Sequence, residues 1–191
     1  MYRPILMLML GFSLSALTMY GLVHLFGSGL FGSGLFGGVP GTGAKLAAAT
    51  VMLACLVIDS GLFGLRTPMW RRQTPQQHFY RFGPARGALL WGLDTGLVLT
   101  TFRVTSLTWA ALGVTLFGLV PWWAGLAYAI GFTWPGFVLV AIVPPSKDLV
   151  EIPEPMWLID WLMNREKPVR RLALGVLTVA FAGVVTSLFL G

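Results

Sequence analysis

Residues 87–119 read GALLWGLDTGLVLTTFRVTSLTWAALGVTLFGL, and the fold turns on how this stretch is divided. Apart from Asp94, Arg103 and a scatter of Thr and Ser, it is apolar from end to end. As one helix its 33 residues would reach about 50 Å at a rise of ~1.5 Å per residue. The hydrocarbon core of a bilayer is about 30 Å thick. The stretch is therefore either two short helices or one broken, tilted helix. The polar run Thr100-Thr101-Phe102-Arg103-Val104-Thr105-Ser106 marks the place for a break.

Working outward, the flanking charges decide between these. Upstream lie Arg66, Arg71, Arg72, Arg81 and Arg86; downstream lie Lys147, Arg165, Lys167, Arg170 and Arg171. Clusters of Lys and Arg beside hydrophobic runs mark cytoplasmic loops, so both belong on one side together with Arg3. Two loops on one side are separated by an even number of crossings. Residues 122–143 supply one crossing, so 87–119 must supply one more. Three further apolar segments complete the pattern at 4–26, 45–65 and 171–190, each near the ~20 residues a spanning helix needs.

Composition demands the same solvent. The 191 residues are 56% hydrophobic and 10% charged, with mean hydropathy +0.78. A water-soluble domain carries about 25% charged residues. The expectation is an all-α integral membrane protein, a single domain over 1–191. It is a bundle of about five transmembrane helices, one long and broken, with membrane lipid as its surroundings. The first span is too long for a signal-peptide core of about 7–15 residues, so it is expected to be retained. The N-terminus is expected in the cytoplasm, with loops 66–86 and 144–170 on the same side. The net charge of +6 does not imply nucleic acid, because no basic groove interleaved with aromatics accompanies it.

Two non-spanning segments are expected. Residues 27–43, GSGLFGSGLFGGVPGTG, repeat Gly-Ser-Gly-Leu-Phe and carry no charge. They suit an outer loop whose Phe31 and Phe36 rest in the headgroup layer, or a docking surface for a partner subunit. Residues 153–164, PEPMWLIDWLMN, place Trp157 and Trp161 four apart, with Asp160 and Asn164 on another face. Twelve residues are too few to cross. A short interfacial helix opened by Pro155 is expected on the cytoplasmic face.

Ionisable side chains inside spans cost about 2.5–3.5 kcal/mol each on insertion scales, which makes them functional candidates. They are Asp59, Asp94 and Arg103. Counted along continuous helices from Arg66 and Arg86, the two carboxylates fall about 10–12 Å from the cytoplasmic side. Two readings stay open: a polar cavity handling an anion or a proton, and a structural network in which Arg103 bridges a carboxylate or the carbonyls of a broken helix. His24 suits an interfacial hydrogen bond, and His78 has no ligand-type neighbour in sequence. No metal-binding, phosphate-loop or hydrolase-elbow spacing occurs, so neither a metal nor a cofactor is expected. Cys55, the single cysteine, allows no disulfide or dithiol within one chain.

Residues 44–143 resemble the CcdA/DsbD transmembrane family, which passes reducing equivalents across bacterial membranes. A hydrophobic helix ends in Gly61-Leu62-Phe63-Gly64-Leu65-Arg66 and a basic loop with Arg71-Arg72. A glycine-rich long helix from Gly87 to Gly118 follows. Then Gly125-Leu126-Ala127-Tyr128-Ala129-Ile130-Gly131-Phe132-Thr133-Trp134-Pro135 is similar to the family's Tyr-Ala-x-Gly-x-x-x-Pro helix. Where the family carries Pro-Cys at the break of its central helix, this chain has Phe102-Arg103. The resemblance thus implies a bacterial inner-membrane scaffold without the redox pair. The function expected is a non-catalytic accessory or structural subunit of a bacterial membrane complex, partnered by other membrane subunits or by copies of itself. The alternatives are a small anion- or proton-coupled transporter using Asp59, Asp94 and Arg103, and a thiol relay, which would need a second thiol.

Overall fold

The computed structural model describes residues 2–31, 40–68, 77–97, 105–142 and 166–190. Among these there are six helices and no strand: α1 (Tyr2–Phe31), α2 (Thr42–Ser60), α3 (Gln77–Gly96), α4 (Leu107–Leu116), α5 (Ala124–Ile142) and α6 (Glu166–Leu190). Three of them, over Arg3–Phe31, Thr42–Ser60 and Lys167–Leu190, are long and apolar enough to cross a membrane.

Glycine sets the helix ends. Gly61 is left-handed (φ 72°) and donates its N–H back to the Ile58 carbonyl, which closes α2. Gly64 is left-handed as well (φ 62°), so the chain turns away four residues before the expected end of this span. Gly118 (φ 72°) ends α4. Its N–H bonds Thr115 O, and Leu119 N–H reaches Val114 O at 2.9 Å, the paired bonds of a Schellman turn. Within α3, Gly83 (φ 76°, ψ 169°) interrupts the helix, and Pro84 starts the second half where its missing N–H costs nothing.

Close backbone approach builds the seam between α1 and α3. Ala88, Gly92 and Gly96 recur every four residues on one face of α3 and are buried. A Cβ on Gly92 would meet the Leu8 carbonyl and stand 2.8 Å from the Phe12 nitrogen. One on Gly96 would stand 2.6 Å from the Phe12 oxygen. Small residues at this spacing let helix backbones touch, which matters where burial from water is not the driving force. Helix α5 also packs on α1: Gly125 lies against Ala16, and Phe132 stacks on Phe12 at 4.7 Å.

Contact order along α1 gives the helix directions. Leu8 and Phe12 meet Gly92 and Gly96 in turn, and further along Tyr20 meets Leu112, while Gly27 meets Leu116. Helices α3 and α4 therefore follow one another along α1 in its own direction. Helix α2 is antiparallel to α4, with Met52 against Ala110 and Ala48 against Phe117. Helix α5 is antiparallel to α1, since Gly125 meets Ala16 and Tyr20 while Ala129 lies beside Phe12. Helix α6 is antiparallel to α2, with Ser187 beside Lys45 and Leu177 beside Cys55. The described chain thus makes five passes along the bundle, the third divided between α3 and α4. The two sides of the bundle, α1/α3/α5 and α2/α6, are joined by α4, which packs on α1, α2 and α6.

Helix α1 continues to Phe31, so the first residues of the glycine-rich stretch 27–43 are helical. Tertiary contact overrides the low helix propensity of glycine there. Gly27 seats against the backbone of Leu116, and Phe31 packs edge-on against Phe117 at 5.0 Å. The expected interfacial helix with Trp157 and Trp161 lies outside the described residues, as does Arg103.

Candidate functional site

Dividing the third pass creates a chemical problem. Helix α4 begins beside the last turn of α2, and its first N–H groups have no partner within the helix. In an apolar setting each such group needs an acceptor. Asp59 supplies one. Its side chain is fully buried, and its two carboxylate oxygens accept from the Ser106 N–H at 2.9 and 2.8 Å.

The placement is also electrostatic. Asp59 stands in the last turn of α2, where the partial negative charge of that helix end disfavours an anion. The partial positive charge at the start of α4 favours one. The carboxylate therefore leans away from its own helix toward its neighbour and ties the end of α2 to the start of α4. Charge-assisted bonds of this type are roughly twice as strong as neutral ones.

Two further bonds fasten the returning chain to the same point. After the left-handed turns at Gly61 and Gly64, residues 65–68 fold back toward α4. There Ser106 Oγ donates to Thr67 Oγ1 at 3.4 Å, and Trp109 Nε1–H donates to the Pro68 carbonyl at 2.8 Å. Thr67 and Ser106 are both buried. Ser106 is the residue before α4, but its hydroxyl makes no capping bond to that helix. Across the interface, Asp59 takes the backbone N–H of this residue.

Asp59 belongs to this node. Its depth is not the one given by continuing α2 to Arg66, because the helix stops at Ser60 and the chain turns back. Asp94 lies half-buried on α3, with interactions of its own. Helices α2 and α3 are not packed against one another, so the two carboxylates sit on different sides of the bundle. His24 is buried on α1 with Nδ1 lacking a hydrogen-bond partner. Cys55 is buried one turn before Asp59, among Met52, Ala110 and Leu177.

Sequence reasoning missed Thr67, Pro68, Ser106 and Trp109 as partners of the buried acid. A Thr-Ser pair directly before an apolar helix is a helix-start signal, and it was legible at 105–106. The return of residues 65–68 was not, because it depends on left-handed glycines whose conformation no neighbouring residue dictates. Among the described residues, no three His, Cys, Asp or Glu side chains gather as a metal site. The node joins an acid, two hydroxyls and an indole. Comparison of the chain with models of known protein families, with curated proteins and with solved structures gives no match.

Proposed function

We propose that this chain is a multi-pass protein of the bacterial inner membrane, and that it serves as a non-catalytic structural subunit of a membrane complex. The observation that carries the second half is the use made of Asp59. This fully buried acid is engaged by the start of α4 and forms part of a structural latch. A transport or catalytic carboxylate needs access to a cavity or a proton path, whereas Asp59 is fully buried and both of its oxygens accept from the Ser106 N–H.

Membrane insertion rests on the apolar exteriors of the helices. Leu172 and Val179 of α6 are 72% and 74% exposed, and Phe189 is 83% exposed. Apolar surface of this extent needs lipid or protein against it. Exposed Trp122 and Trp123 sit at one end of the bundle, and exposed Phe63 and Tyr80 at the other, where aromatic belts lie in membrane proteins. Arg3 of α1, Arg86 of α3 and Lys167 of α6 stand toward the same end of the helix order, and the positive-inside rule supports reading that end as cytoplasmic. Kinship with the CcdA/DsbD scaffold is compatible with this reading only without its redox chemistry, since the single thiol is buried in a helix interface.

Two measurements test the proposal. In a Cys55→Ala background, cysteines placed at Arg72 and Lys167 should react with an impermeant thiol reagent from the same face of the membrane. Labelling from opposite faces refutes the five-pass scheme. A photoreactive residue at Val179 should form a discrete protein adduct in native membranes. Lipid adducts alone, together with a monomer on sizing in mild detergent, refute the subunit reading. Proton or anion flux in vesicles holding only this chain would favour transport instead.

A further inference from the structure

Between α2, α4 and α6 runs a partly open cleft of about 550 Å³. Binding pockets for small ligands run from about 300 to 1,000 Å³, so this one is large enough for an occupant. Its walls are apolar, formed by Met52, Leu107, Val114, Leu177 and Val184 among others. Lys45 stands at one end. Its Nζ donates to the Ser187 carbonyl at 2.7 Å, in the last turn of α6. A cation at a helix C-terminus is well placed, but an ammonium has three donors and this bond uses one. No carboxylate among the described residues pairs with it.

Length adds a second constraint. The cleft extends along α6 from Val176 to Ser187. At ~1.5 Å per residue that is about 16 Å. One leaflet of a bilayer has a hydrocarbon depth of about 15 Å, half the core thickness. The charge lies at the end of the bundle and the apolar walls lead inward from it. An extended peptide would leave its amides without partners against such walls. A hydrocarbon chain has no such need.

We propose that this cleft holds one acyl chain of an anionic phospholipid, with the phosphate paired to Lys45 Nζ. The inference goes beyond the structural-subunit reading and shares only its membrane setting. Failure of that setting would appear separately, as absence of the chain from the membrane fraction.

The test is native mass spectrometry of the full chain released from vesicles of equal phosphatidylglycerol and phosphatidylcholine. The wild type should retain phosphatidylglycerol with about a five-fold preference, the factor one lysine near a lipid surface provides. Lys45→Gln should abolish the preference and Lys45→Arg should keep it. Gly183 lines the cleft, and a Cβ there meets nothing within 4 Å, so Gly183→Phe should fill the cleft and lose both lipids. Gly175 is also on α6 with open space and lies outside the cleft. Gly175→Phe should behave as wild type. Unchanged retention in Lys45→Gln, or equal loss in Gly183→Phe and Gly175→Phe, overturns the proposal. So does full displacement of phosphatidylglycerol by equimolar oleate, which would assign the cleft to a free fatty acid.

Discussion

Replacing Gly92 by alanine adds one methyl group to the close-packed seam between α1 and α3. The new Cβ would press on the Leu8 carbonyl and stand 2.8 Å from the Phe12 nitrogen. Ordinary van der Waals contact begins at 3.4 Å, so α1 and α3 must separate by at least about 0.6 Å. Both obstructing atoms are backbone, so no side chain can rotate aside. Separation also loosens the contacts at Gly11 and Gly96, which meet the partner backbone in the same way. Overpacking typically costs about 1–3 kcal/mol, and three coupled contacts place this case at the upper end. Alanine's better helix propensity returns about 1 kcal/mol, leaving a net loss of about 2 kcal/mol. Gly29→Ala is the matched control: Gly29 lies in the same helix as Gly11, is exposed, and its Cβ would meet nothing within 4 Å. That change should be neutral or stabilising. Thermal unfolding in a mild detergent, followed by circular dichroism at 222 nm, reads both. Equal melting temperatures for Gly92→Ala and Gly29→Ala would refute the argument that backbone contact at this seam holds α1 to α3.

Asp59→Ala should destabilise by about 1–3 kcal/mol, because the Ser106 N–H is left buried without its acceptor. Asp59→Asn, which keeps one acceptor oxygen, should fall between the two in the same melt. Trp109→Phe removes the indole bond to the Pro68 carbonyl and should cost about 1 kcal/mol; limited trypsin digestion should then cut faster at Arg66, and an unchanged cleavage rate would count against the fold-back of residues 65–68. Gly118→Ala puts a Cβ on a left-handed residue and should cost about 1–2 kcal/mol. Gly175→Ala, in open helix, should cost nothing by the same measurement.

The sequence was sufficient for the all-helical class, because unbroken apolar stretches of about 20 residues, such as 4–26 and 171–190, suit the one backbone that satisfies every N–H and C=O within its own segment. It also marked 100–106 as the place for a break, because Thr and Ser offer the backbone competing hydrogen bonds; α3 ends at Gly96 and α4 begins at Leu107, while residues 98–104 lie outside the described residues. The helix-start signal at Thr105-Ser106 was likewise open to reading. Local pattern could not reveal that Asp59 would meet that helix start. The two lie 47 positions apart, and only the packing of α2 on α4 joins them. The α1–α3 seam was half legible: Ala88, Gly92 and Gly96 recur at the right spacing, but spacing does not say which helix they face. The helix ends at Gly61 and Gly118 were hidden for a related reason. Glycine permits a left-handed residue without requiring one, and the choice is made by long-range contacts. Periodicity and charge are properties of neighbouring residues, so sequence carries them. The partner of a buried acid, the mate of a glycine face and the cleft that leads to Lys45 depend on which helices pack together, and tertiary structure alone decided them.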